Sequence, residues 1–278
     1  MKYARAHAIP PPWQDEPCFV QKLFVDRCAN GKSQFFKLDI WHTIAMGIGK
    51  TWCAASVSII QRHCLGKGSV EQRFARLTAD FREYCTRERK SPYVNKLTPE
   101  MFNISGDQEP QGMWNKGSLT TTLLLWMEDF LGRHADKIHL DERLQYIASG
   151  TRGINNFTRA LHEEGCWIKS QQATSIAHAG EHFVKCYSYC AFLSLGKNQN
   201  MFQLMPKLHA LHESVCQMKR QASIAAWTYN VLTEACPLDE DFIGRLCRVA
   251  RSVSPRLQAR RALERYRVQL MSVWCLDA

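Results

Sequence analysis

The chain has 278 residues, 45% hydrophobic and 22% charged, a composition that supplies a large buried core and excludes a disordered, collagenous or low-complexity chain. Its 36 Lys and Arg outnumber 26 Asp and Glu, and the net +10 makes a polyanion the expected charged partner. Twelve scattered cysteines include no Cys-x-x-Cys pair, so buried reduced thiols are expected rather than a disulfide framework, a zinc ribbon or a thioredoxin-type site.

No apolar run of signal-peptide length opens the chain, and no later stretch is read as the roughly 18 charge-free apolar residues of a membrane span. The expectation is an intracellular, nuclear protein without a membrane partner. Residues 1–34, with Pro10, Pro11, Pro12 and Pro17, read as a proline-rich arm, and Phe35, Phe36 and Leu38 could end a short strand. Residues 35–90 form a first helical segment. An apolar run from Trp41 to Cys64 is broken by Gly66 and Gly68, and Ser69 with Gln72 makes a capping box for an amphipathic helix to about Arg89. Residues 91–117, with Pro92, Pro99 and Pro110, read as the longest loop and a mobile segment or internal boundary.

A helical bundle is expected over 118–278. Its helices run from Ser118 to Leu131, Asp141 to about His162, Thr174 to Leu195, Phe202 to about Gln221, Pro237 to Val253, and Arg256 to Trp274. Residues 222–236 are ambiguous between a helix and a packed irregular segment. The fold class is all-α, an irregular bundle of about eight helices with little or no sheet.

Several strings carry chemistry and a plainer alternative. Gly47-Ile48-Gly49-Lys50-Thr51 ends like a phosphate loop, but Ile44 stands where the first glycine is needed; a glycine-softened helix packed closely on a neighbour fits better. His178, His182, Cys186 and Cys190 recur every fourth residue, and His209 and His212 follow one helix later. Such a set can ligate zinc from facing helices or serve as core histidines and thiols. No Gly-x-Ser-x-Gly elbow supports a nucleophilic enzyme.

The C-terminal charge differs in kind. Residues 241–270 hold eight arginines against Asp241 and Glu264, six of the ten net charges. Arg245, Arg248 and Arg251 fall on one helical face, and Arg256, Arg260 and Arg267 on a face of the next helix, a spacing suited to following phosphates. Arginine throughout suits bidentate phosphate recognition; the alternative is a solvated face or a basic face for an acidic protein partner.

Two strings together resemble a known family. Leu38-Asp39-Ile40-Trp41-His42 followed by Gly47-Ile48-Gly49-Lys50 is similar to the Asp-x-x-His and glycine-lysine segment of large cut-and-paste DNA transposases of the Plavaka type. Pro206-Lys207-Leu208-His209-Ala210-Leu211-His212, then Trp227 and Asp239-Glu240-Asp241-Phe242-Ile243-Gly244-Arg245, is similar to two late motifs of the same proteins, in the same order. The resemblance implies a ribonuclease H-like nuclease in which carboxylates hold two divalent cations for phosphodiester transfer. It implies Glu240 as the carboxylate of the terminal helix and Asp39 as a second, so both stand as catalytic residues and ligands for Mg²⁺ or Mn²⁺. His209 and His212 are secondary metal candidates. Arg245, Arg248, Arg251, Arg256, Arg260 and Lys207 are the nucleic-acid contacts.

The early strand-borne carboxylates of such a core would precede Asp39, where Asp15 and Asp26 are the candidates and no strand-rich sheet is expected. The chain therefore reads as a transposase-derived nucleic-acid-binding protein, with DNA as the expected partner, catalytically incomplete on its own and without a cofactor unless active. A helical protein-interaction module, self-associating or binding a second protein, is the alternative.

Overall fold

The computed structural model describes residues 38–104 and 109–274, and their side chains except at 238–241, 255, 259 and 272–274. The proline-rich arm and the expected strand residues Phe35 and Phe36 lie outside the described residues.

Among the described residues the fold is all-α, with nine helices and one short two-stranded sheet. Helix α1 (Ile40–Thr43) runs through a π turn at Ile44–Ile48 into α2 (Gly49–His63). Helix α3 (Val70–Arg87) begins at the Ser69 and Gln72 capping box, where each side chain accepts from the other residue's backbone N–H. Then come α4 (Gly117–Arg133), α5 (Glu142–Glu163), strand β1 (Trp167–Lys169), α6 (Ser170–Gly196), α7 (Pro206–Ile224), strand β2 (Trp227–Tyr229), α8 (Pro237–Arg251) and α9 (Gln258–Trp274).

Helix α2 is the core helix. From Thr51 to Gln61 every residue is buried, and Trp52 packs on Phe183, Tyr187 and Phe202 while its Nε1 donates to Thr151 Oγ1 at 2.9 Å. This burial explains its apolar composition. The stretch Ile40–His63 is apolar and long enough to cross a membrane, closer to a span than its sequence implied, yet 89% of its most apolar window lies inside the fold.

Helices α5 and α6 pack antiparallel because small residues let them approach. A side chain at Gly150 would meet Trp52 and Cys186, and one at Gly153 would meet Phe183 and the Ala179 carbonyl. Their outer ends are clamped by a buried ion pair. Arg143, 3% exposed, forks onto Asp141 with Nε and Nη2 each at 2.9 Å, and its Nη1 donates to Ser194 and Gln199. Lys197 adds a third cationic contact to Asp141 at 2.9 Å.

Helices α6 and α7 also form an antiparallel pair, so the chain entering α6 and the chain leaving α7 lie side by side. There β1 pairs antiparallel with β2, Ile168 opposite Thr228, and Trp167 meets Tyr229 across the ladder at 5.5 Å. Aromatic and β-branched residues suit this ribbon, which resolves the ambiguous 222–236 segment into a strand and a 3₁₀ turn (Val231–Glu234). Asn230, 2% exposed, closes it: its side-chain amide donates to the carbonyls of Leu161 and Gly165 at the end of α5, and its oxygen accepts from Leu232 N–H.

Two expectations shift. Helix α7 begins at Pro206 rather than Phe202, which instead takes a left-handed turn (φ 56°) so that its ring enters the core. Within 91–117, Leu97, Phe102 and Trp114 are buried; Thr78 bonds both backbone groups of Leu97, and Trp114 Nε1 donates to Thr120. These anchored residues make the segment part of the core wall.

Candidate functional site

The π turn is where the chemistry collects. Gly47 leaves helical backbone there (φ −132°, ψ −109°), so nearby carbonyls lose their helical partners. Thr120 Oγ1 donates to the Ala45 carbonyl at 2.6 Å, and the Lys207 ammonium donates to the carbonyls of His42 at 3.1 Å and Met46 at 3.3 Å. Lys207 reaches them because its methylene stem lies across Gly47, where a Cβ would collide with it. Gly49 likewise lies against the Ile44 carbonyl and Thr120, so the glycine-lysine string serves close packing. The Lys50 ammonium is pushed below its ordinary value by burial and by nearby Lys207.

Asp39 is the N-cap of α1. Its Oδ1 accepts from Trp41 N–H at 2.8 Å and His42 N–H at 3.2 Å, which fixes the carboxylate and turns Oδ2 outward. Oδ2 lies 2.5 Å from His42 Nδ1 and 2.6 Å from Cys236 Sγ, and that sulfur is 3.5 Å from the same Nδ1. Burial pushes the Asp39 carboxyl up, but the bonds from Cys236, the His42 ring and the two backbone N–H groups outweigh it and hold the group below its ordinary value. Among the described residues, Asp39, His42 and Cys236 are the group in which three potential metal-ligating atoms converge, all within 4.8 Å of one another.

Cys236 directly precedes Pro237, the first residue of α8, so this cluster marks the base of the arginine-rich helices. Helices α8 and α9, joined by a 3₁₀ turn (Pro255–Leu257), pack chiefly on each other. Phe242 meets Tyr266 edge-on at 5.2 Å, Val249 and Ala262 are buried, and Arg265 donates to the carbonyl and hydroxyl of Ser252. Arg245, Arg248, Arg251, Arg256, Arg260, Arg261, Arg265 and Arg267 are all exposed. Glu264 engages Arg260 at 2.8 Å and Arg261 at 3.2 Å. Exposed apolar side chains share the hairpin, notably Leu257, Leu263, Val268 and Met271.

The structure thus brings Asp39 and Lys207 to one region and gathers the arginines on one hairpin. Glu240 lies in the first turn of α8, and its side chain is outside the described residues. Lys207 is half-buried and turned to the π turn, away from a phosphate-contacting role on the surface. The histidine candidates do not converge as a group of three ligands among the described residues. His178 and His209 are exposed, His182 bonds Ser149 at 2.7 Å, and His212 lies 3.5 Å from its own helix neighbour Cys216. Cys186 and Cys190 face the core instead, where burial pushes both thiols up. The sequence reading missed Cys236 as a site residue. Its partners are nearly two hundred residues away, and no ligand spacing announces them. Compared with protein-family models, curated proteins and solved structures, the chain finds no match.

Proposed function

We propose that the chain is a transposase-derived nucleic-acid-binding protein whose phosphate-contacting surface is the α8–α9 hairpin. One observation carries the reading: eight arginines between 242 and 270 are exposed on one two-helix hairpin, against Glu264 as the acidic residue of that stretch. Solvated guanidinium groups on a helical pair suit a phosphate backbone, whose counterions they displace. The transposase ancestry rests on the two sequence strings, and it gains support from their meeting in space, where Lys207 of the second grips the turn of the first.

Nuclease chemistry is outside the proposal. Mg²⁺ and Mn²⁺ prefer an oxygen-rich shell, whereas among the described residues the donors gathered at Asp39 are one carboxylate, one imidazole and one thiol, a set that does not fit such a centre.

Fluorescence anisotropy with duplex and single-stranded DNA across a salt series tests the reading. The intact chain should bind with a steep slope of log affinity against log salt. Replacing Arg245, Arg248, Arg256 and Arg260 with Gln should flatten it by about 0.9 for each duplex phosphate that is no longer neutralised. Absent binding, or binding indifferent to the four replacements, would refute the proposal. The exposed Leu257, Leu263, Val268 and Met271 favour a second reading, a protein-docking hairpin. That reading predicts self-association or protein capture that survives the arginine replacements and is lost when these apolar residues are made polar.

A further inference from the structure

The geometry points to a zinc site formed by Asp39, His42 and Cys236 that fastens the base of the α8–α9 hairpin to the first helix of the bundle. In a Cys-His-Asp relay the imidazole uses its two nitrogens separately, one toward the thiol and one toward the carboxylate. Here Asp39 Oδ2 and Cys236 Sγ both face the same nitrogen, His42 Nδ1. That nitrogen is therefore not the thiol's acceptor: Cys236 directs its hydrogen to Asp39 Oδ2 at 2.6 Å, and carboxylate, ring and thiol form a closed triad. A cation that replaced the thiol and ring hydrogens would meet one oxygen, one nitrogen and one sulfur already gathered within 4.8 Å of one another.

Distances and donor chemistry select the cation. The 3.5 Å between Cys236 Sγ and His42 Nδ1 is close to the edge, about 3.6 Å, of a tetrahedron built on ordinary zinc–sulfur and zinc–nitrogen bonds. Oδ2 lies inside that edge and has to withdraw by about 1 Å to take the third vertex. Its partner Oδ1 stays oriented by the backbone N–H groups of Trp41 and His42, the kind of outer bond that fixes a ligating carboxylate. A sulfur, an imidazole nitrogen and a carboxylate oxygen suit Zn²⁺ and not Mg²⁺ or Ca²⁺. The His42 and Asp39 side chains are 36% and 22% exposed, so an ion can enter and water can complete the shell. On binding, the Cys236 thiol gives its proton to solvent and the sulfur bonds the metal as thiolate, which makes the affinity fall as pH falls.

The site would tie residue 236 to residues 39 and 42 at the point where the chain leaves the bundle for the arginine helices. It holds whether or not the hairpin contacts DNA.

The test uses the full chain, stripped with a chelator and reloaded with Zn²⁺ or Co²⁺. About one zinc per chain should remain after dialysis, and Co²⁺ should give a thiolate charge-transfer band with the visible absorption of a four-coordinate ion. Cys236→Ser and His42→Ala should each weaken binding by more than about 100-fold, beyond the loss that follows removal of an outer partner. Cys166→Ser and Cys247→Ser remove exposed thiols elsewhere and should change nothing. Wild type without stoichiometric zinc, or Cys236→Ser with an undiminished cobalt band, would overturn the assignment. Should Cys236→Ser fail to fold by circular dichroism, alkylation mapping on the wild-type chain decides. Zinc should protect Cys236 while Cys166 and Cys247 label as before, and equal labelling of Cys236 with and without zinc would overturn the site.

Discussion

The bundle and the α8–α9 hairpin use charge in opposite ways. In the bundle, one ion pair is sunk and matched: Asp141 and Arg143 are nearly inaccessible and bonded to each other through two guanidinium nitrogens. In the hairpin, eight arginines are exposed, with Glu264 between Arg260 and Arg261 and Arg265 holding Ser252, and the apolar contact includes Phe242 with Tyr266 and the buried Val249 and Ala262. The first arrangement makes each partner depend on the other, since removing one leaves the other a buried charge without its counter-ion. The second holds its charge at the surface, which is where the proposed phosphate contact needs it. The difference makes stability and binding separable by mutation.

The largest effect should come from the buried pair. Arg143→Met leaves Asp141 without its forked partner and should cost about 3–5 kcal/mol in urea unfolding. A cost near zero would show that Lys197 alone suffices. The same carboxylate predicts an acid limb. Burial pushes Asp141 up, but the bonds from Arg143 and Lys197 prevail and hold it well below its ordinary 3.8. Its stabilisation is therefore complete above that value and is lost as pH falls below it; a melting series under acid should show the drop in wild type and not in Asp141→Asn. Asn230→Ala, which strands the carbonyls ending α5, should cost about 1–3 kcal/mol. Lys207→Met should cost about 1 kcal/mol by releasing the His42 and Met46 carbonyls. The smallest change closes the comparison: Gln at Arg245, Arg248, Arg256 and Arg260 should shift stability by about 0.5 kcal/mol or less at each site while weakening the proposed DNA binding and flattening its salt slope. A large loss of stability there would break the division between the two regions.

Local chemistry made much of this legible. The Ser69 and Gln72 box and Pro237 at the head of α8 each act within a few residues, and each stands where its pattern placed it. What stayed hidden needed distant partners. Phe202 reads as a helix start until Trp52 and Tyr187 supply a pocket for its ring. Trp114 sits in a proline-rich stretch that reads as loop, and it is the hydroxyl of Thr120 and the ring of Phe102 that bury it. Asp39 was nameable from its motif, but Cys236 became its neighbour only through the whole course of the chain, including the ribbon that returns β2 beside β1.

That ribbon and Asn230 also have a mechanical meaning. A pull on α8 and α9, as from a bound polymer under tension, enters the bundle along 230–236. It meets Cys236 against Asp39 first and then Asn230, whose amide is bonded to the end of α5. Only past that point does it reach the β ladder, which would otherwise peel open one pair at a time. Load is thus handed to the longest-packed helices before it can unzip the strand, and Asn230 is the cleat that turns it.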